Sequence, residues 1–343
     1  GGEWGRGVVL ITQADSAALL SLGVHFMASA SATSPPLLPH VVVFVWDEPS
    51  LAVCLEAHDL CLLDDQATAA EQVDFSAEKL SKNSRAWYRI GWRKVELIQD
   101  VLNEGYTVFW VDLDVFWVQS PLVHPGVLPA VGHADVAFST DGKPSPVAEL
   151  SSHKHSDANI GLLLLRPTQR ARDFLASWLA RNDSPALRDQ YVFIHTLAGA
   201  LAGGRITAAP WDFEGVLPNF CAKLTDGLGY CKEAEVAEIY CRKKAIAARV
   251  GEGNALHGWV AVHLACSGNV ATKTVRVVDL ANPLLGVGTE QGRLFRRAEQ
   301  RVRRSMRRAA NGAAAGSEPP RRPVSRPPHS LGGGGEERRE RER

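Results

Sequence analysis

The sequence has no run of about 18 consecutive apolar residues, so no segment of it reads as a membrane-spanning helix. It also lacks closely spaced cysteine pairs: Cys54, Cys61, Cys221, Cys231, Cys241 and Cys266 are too scattered for a structural zinc site. Net charge is absent too, with 38 Lys and Arg against 38 Asp and Glu. That balance hides a segregation. From Arg293 onward 15 Arg stand against 6 Glu, a net of +9 that leaves −9 on the rest of the chain. A net acidic body argues against a nucleic-acid partner, because phosphate binding needs a basic face. A charged-then-apolar leader is missing as well. The chain starts "GGEWGRG" rather than with Met and reads as a fragment or processed chain, whose anchor would lie upstream.

What the 343 residues do contain is enough apolar material for one large domain or two. Val8 to Thr12 reads as a buried strand, a helical stretch follows through about Ala28, and Val41 to Asp47 and "LCLL" near residue 60 read as two more strands. From Ser84 to Asn103, Trp87, Gly91, Val95, Ile98 and Leu102 fall at helical spacing, and Gly105 supplies the stop. "TVFWV", "DVAFST" and "NIGLLLLRP" read as strands. "TQRARDFLASWLARN" reads as an amphipathic helix capped by Thr168 with Ala171, Phe174, Leu175, Trp178 and Leu179 as its stripe. A further helix is expected from about Pro185 to Ala198, and a late strand in "GWVAVH". Strands alternating with helices imply an α/β fold with a largely parallel sheet. After Glu290 an Arg-rich, helix-compatible segment passes into Pro, Gly and Glu/Arg low complexity, so the last 30 or so residues are expected to be disordered. For the cysteines two readings stand: disulfides, with four of the six clustered after residue 220, or reduced core residues.

The chemistry concentrates in "TVFWVDLDVFWVQSP", where Asp112 and Asp114 interrupt an apolar run. Alternation alone would describe a half-exposed strand. Yet "VFWV" is apolar on both faces, as in a strand covered on both sides, and open α/β sheets bind ligands at the carboxyl ends of such strands. Two carboxylates one residue apart can share a hard divalent cation, which offsets their repulsion and leaves positions open for diphosphate oxygens.

Four segments carry a resemblance: "WRKVELIQDVLNEGYTVFWVDLDVFWVQSP", "NIGLLLLRPT", "RDQ" and "VHLACSGNVATK". In this order, over about residues 8 to 275, the chain resembles the nucleotide-diphospho-sugar transferases, in particular the plant and algal cell-wall enzymes of glycosyltransferase family 77. It shares a motif order with glycogenin-like transferases. The resemblance implies a glycosyltransferase A fold over residues 1–290, with a nucleotide-binding half at about 8–120 and a donor-sugar and acceptor half at about 130–280, followed by an Arg-rich tail at 291–343. It implies retaining transfer of arabinose, xylose or galactose from a UDP-sugar, with Mn²⁺ or Mg²⁺, to a glycan or glycoprotein in cell-wall synthesis. The setting it implies is the Golgi lumen, with the chain as the catalytic part of a type II membrane protein.

Residue by residue, the resemblance makes Asp112 and Asp114 metal ligands, Asp112 also reaching toward the donor. His263 becomes the third ligand, with Gly268 and Lys273 following as donor contacts at a spacing longer than the glycogenin-like one. Lys94 lies on the apolar face of its helix, where a lysine either snorkels or, as the resemblance implies, meets the donor phosphates. Asn159 and Gly161 match an Asn-x-Gly that holds donor-sugar hydroxyls, against a polar residue and a glycine that merely start a strand. Asp189 and Gln190 match an Asp-Gln pair at the donor sugar, with Asp189 acting in catalysis. That role needs the helix to begin late, so that Asp189 caps it and faces the cleft; an earlier start would point the carboxylate into solvent. Thr12 at the end of the first strand is a candidate contact to the nucleotide base.

Two other functions share parts of this pattern. A haloacid dehalogenase-type phosphatase also ends a strand in Asp-x-Asp, but with Gly-Thr rather than Val115-Phe116 after it and nearer the chain start. A transferase-like domain that binds glycans without turnover would keep the fold and lose the chemistry.

Overall fold

Every residue of β4 (Thr107–Val111) is buried, which follows from a strand covered on both faces. In the computed structural model, which describes residues 5–64, 66, 85–140, 158–182, 188–211, 260–264 and 290–314, that strand lies at the centre of a seven-stranded sheet. The sheet order is β3-β2-β1-β4-β7-β6-β8, formed by β1 (Val8–Ala14), β2 (Val41–Val45), β3 (Cys61–Leu63), β4, β6 (Val136–Thr140), β7 (Ala158–Leu165) and β8 (Ala208–Pro210). β1 pairs in parallel with both β2 and β4, β2 with β3, and β6 with β8, whereas β7 runs antiparallel to both β4 and β6. The largely parallel sheet expected from the sequence is therefore present, with a single reversed strand. A second, two-stranded sheet pairs β5 (Val115–Trp117) with β9 (Ala261–His263) in antiparallel register.

Strand alternation divides the core into two layers. Leu10, Phe109, Val111, Leu162 and Leu164 face one side, packing with α2 (Val24–Ala32), α3 (Glu48–Leu55) and the β5–β9 pair. Ile11, Val108, Trp110, Leu163 and Leu165 face the other, under α4 (Arg85–Asn103), α6 (Gln169–Leu179) and α7 (Asp189–Ala202). Each helix forms where its sequence directs. α4 buries Trp92, Val95, Ile98 and Leu102 and is stopped at Gly105, whose φ of 86° is one that glycine adopts freely. α6 is capped by the Thr168 hydroxyl, which accepts from the Ala171 amide at 3.1 Å. A short helix α1 (Ser16–Ala18) and a π-helical stretch, Leu19–Gly23, precede α2, so the first helical region extends to Ala32 rather than Ala28. A one-turn helix α5 (Leu128–Val131) precedes β6.

Three observations correct or extend the sequence expectations. The helix carrying Asp189 is described from Asp189 to Ala202, with Arg188 as its N-cap, so Asp189 is the first helical residue and not the cap. Cys54 and Cys61 form a disulfide between α3 and β3, a pair that spacing alone did not single out. The other four cysteines lie outside the described residues. The Arg-rich segment is helical over α8 (Glu290–Ala314) and buries Phe295, Val302 and Met306 against the α2 side of the core. Residues 315–343 lie outside the described residues.

On α8, Arg303 Nη2 lies 3.0 Å from His25 Nε2. A guanidinium only donates, so Nε2 accepts and the imidazole carries its proton on Nδ1, facing Glu299 Oε1 at 3.6 Å. Burial, opposed by Glu299 and reinforced by Arg303, lowers the His25 pKa to about 4. Among the described residues no helix is long and apolar enough to cross a membrane.

Candidate metal and donor site

In an open parallel sheet, ligands collect at the carboxyl ends of strands where the strand order turns back on itself. Here that place lies between β1 and β4, because β1 has β2 on one side and β4 on the other. Asp112 is the residue immediately after β4. Trp110 and Asp112 fall on the same side by strand alternation, the side covered by α4. The Trp110 indole N–H donates to Asp112 Oδ1 at 2.7 Å, and Lys94 of α4 brings Nζ to 3.6 Å from the same oxygen. The Asp112 amide donates to the Gly161 carbonyl at 2.7 Å, which ties the turn to β7.

Asp114 directly precedes β5, and strand register does the rest. Val115 pairs with His263, so the imidazole arrives beside the aspartate that precedes Val115. His263 Nε2 lies 3.3 Å from Asp114 Oδ1 and 3.8 Å from Asp112 Oδ2. One ligand atom from each of the three residues fits within 4.8 Å of the others.

His263 is 1% exposed, and neither ring nitrogen has an aligned hydrogen-bond partner. A buried imidazole left unbonded beside two carboxylates is costly. A divalent cation would remove that cost by taking one nitrogen and one oxygen from each carboxylate. An N,O,O donor set of this kind suits Mn²⁺, Mg²⁺ or Zn²⁺. The residues therefore fit a metal.

Gly161 makes the room. A Cβ built on it would collide with Cε1 of the His263 ring, so no larger residue fits there with the imidazole in place. Asn159 is buried, and its Oδ1 accepts from the Gly161 amide at 2.7 Å, with Ser139 Oγ at 3.5 Å. The carbonyl of that side chain thus shapes the start of β7, beside the metal ligands.

Lys94 Nζ also lies 3.2 Å from Asp189 Oδ2, so one ammonium spans the two carboxylates of Asp112 and Asp189. Burial pushes the Lys94 pKa down, but Asp112 and then Asp189 more than offset it, and the net direction is above the ordinary lysine value. Lys94 is therefore cationic at neutral pH, and it does not snorkel: it is 6% exposed.

The structure thus brings together Lys94, Asp112, Asp114, Gly161, Asp189 and His263, with Asn159 behind Gly161. Gln190 follows Asp189 in the first turn of α7 and is half-buried. Thr12 is not at a strand end: β1 continues to Ala14, and Thr12 is wholly buried with its hydroxyl unbonded, so it offers no surface to a nucleotide base. Gly268 and Lys273 lie outside the described residues. Two participants were missed in the sequence. Trp110 carries the signal of standing two residues before Asp112 on the same strand face. Gly91 carries the signal of a glycine in mid-helix, where helix formation disfavours it.

A family model described as nucleotide-diphospho-sugar transferase matches residues 36–276. An uncharacterized protein of Arabidopsis thaliana is 34% identical over 87 residues, and the match covers 25% of this chain and 25% of that protein. Among solved structures, the bifunctional glycosyltransferase WbbM in its apo form is similar over 85% of this chain and 51% of its own, at 12% identity and a TM-score of 0.46. Mouse xyloside xylosyltransferase 1, apo form, is similar over 61% of this chain and 87% of its own, at 14% identity and a TM-score of 0.35.

Proposed function

The chain belongs to the nucleotide-diphospho-sugar transferase family, and from that footing we propose that it is a metal-dependent, retaining glycosyltransferase using UDP-sugars. The donor would be an arabinose, xylose or galactose nucleotide and the acceptor a glycan or glycoprotein. The proposed setting is cell-wall or extracellular glycan synthesis in the Golgi lumen, as the catalytic part of a longer anchored protein. The Cys54–Cys61 disulfide supports an oxidising compartment of this kind.

The observation that carries the reading is the triad of Asp112, Asp114 and His263 at the strand-order reversal, with Lys94 between Asp112 and Asp189. When bound, Mn²⁺ or Mg²⁺ supplies a positive centre that neutralises the diphosphate leaving group. The protein's own groups do the remainder. Asp112 turns Oδ1 to Trp110 and Lys94, which leaves Oδ2 on the His263 side for metal. Lys94 holds a point charge, dry and fixed, where diphosphate charge develops on departure. Asp189 holds a carboxylate near the donor sugar, where it stabilises positive charge at the anomeric carbon. This is electrostatic preorganisation more than acid–base work.

The test is a panel of nucleotide sugars scored for metal-dependent release of nucleotide. Release from one donor that stops on chelation and in D114A supports the reading. No release and no nucleotide binding with any donor would sink it. Trapping of an aspartyl-phosphate on Asp112 would favour the phosphatase reading instead.

A further inference from the structure

Gly91 lies within α4, three residues before Lys94 and so on the same helical face. A glycine there weakens the helix, so local energetics do not explain it. A Cβ at this position would stand 2.9 Å from both Cγ and Oδ1 of Asp189 and 3.1 Å from Oδ2. The Asp189 carboxylate occupies the volume that a side chain at position 91 would fill.

Asp189 has little freedom to withdraw. Its main-chain carbonyl accepts from the Trp178 indole at 3.0 Å, and Val192 and Phe193, in the same helix α7, are buried in the core. The carboxylate itself is held by Lys94, whose Nζ lies 3.2 Å from Oδ2. A methyl group on residue 91 would therefore move the carboxylate, or α7 with it.

We propose that Gly91 is a positioning residue: its missing side chain sets how closely the Asp189 carboxylate approaches Lys94 and the donor-sugar position. The proposal rests on the reading of Asp189 as the carboxylate that acts on the donor sugar. It goes beyond that reading in assigning the placement of the carboxylate to a residue that touches neither metal nor donor.

Gly91→Ala separates this from a plain helix effect, because the two predict different outcomes for turnover. As a plain helix substitution it raises the unfolding temperature and leaves turnover alone. As a displacement of Asp189 it lowers turnover of the UDP-sugar by tenfold to about a hundredfold, since an ångström of misplacement has that scale of effect. Affinity for Mn²⁺ alone, measured without nucleotide, stays within about twofold, because Asp112, Asp114 and His263 are untouched.

A stability cycle makes the test independent of activity. Gly91→Ala raises the unfolding temperature in an Asp189→Ala background, where the space is free, and does not raise it with Asp189 present; Asp189→Ser serves as the second small replacement. Equal stabilisation in both backgrounds, or turnover within twofold of the parent, overturns the proposal. A parent protein without donor turnover would overturn the transferase reading, while the stability cycle would still decide whether the contact exists.

Discussion

The Trp110 indole donates a hydrogen bond to one oxygen of Asp112 at 2.7 Å, and the other oxygen of Asp112 faces His263 at 3.8 Å. The indole thus leaves Oδ2 as the Asp112 oxygen that would face a metal ion held with His263. Groups that orient a ligand in this way are worth roughly 10- to 100-fold in metal affinity. Trp110→Phe keeps the ring in the core and removes the N–H. It is expected to weaken Mn²⁺ binding about tenfold, read by paramagnetic titration of free Mn²⁺. Unchanged affinity would show the hydrogen bond to be incidental.

The Asp112–Asp114–His263 cluster should make stability depend on metal. A ligand at a hundred times its dissociation constant stabilises the native state by about 3 kcal/mol. Mn²⁺ is expected to raise the unfolding temperature of the parent, and His263→Ala or Asp114→Ala to abolish the rise. A rise that survives both substitutions would place the ion elsewhere.

His25, buried beside Glu299 and Arg303 of α8, gives stability a pH dependence. Its pKa falls from 6.5 to about 4, mainly through burial, with Arg303 adding to the fall and Glu299 opposing it. The unfolded chain then takes up a proton near pH 6.5 that the native protein refuses until about pH 4. Stability from this group is complete above pH 6.5 and is lost as pH falls toward 4. The loss is about 3 kcal/mol. Urea unfolding across that range should show a shallower decline in His25→Gln than in the parent. Parallel curves would mean that His25 titrates normally.

Cys54 and Cys61 close a short loop between α3 and β3, 7 positions apart. A loop of that size stabilises by about 2–3 kcal/mol in the chain-entropy view. The Cys54→Ser/Cys61→Ser pair is expected to lower the denaturant midpoint accordingly, and an unchanged midpoint would show that the bond adds nothing to stability.

Much of the architecture was legible because it depends on local pattern. Val8 to Ile11, Val108 to Val111 and Ile160 to Leu165 are apolar on both faces, which a doubly covered sheet requires. Thr168 starts α6 and Gly105 stops α4 for reasons of hydroxyl geometry and positive φ that a sequence displays directly. Asp112 and Asp114 were conspicuous as charges inside an apolar run. Thr12 misled, because a hydroxyl near an expected strand end looks like a loop residue until the strand proves two residues longer.

By itself, then, the chain's order of residues determined the longer strands and helices, and that two carboxylates would stand at the end of a buried strand. Those are consequences of periodicity, capping and the cost of burying charge, all of which act over a few residues. Only the tertiary structure decided that His263 meets Asp114, since that follows from the register of β5 against β9, elements nearly 150 positions apart. It alone decided that Lys94 spans Asp112 and Asp189, and that Gly91 and Gly161 are hollows filled by other residues' side chains. The volume left by an absent side chain has no signature along the chain, because what fills it arrives from a different element.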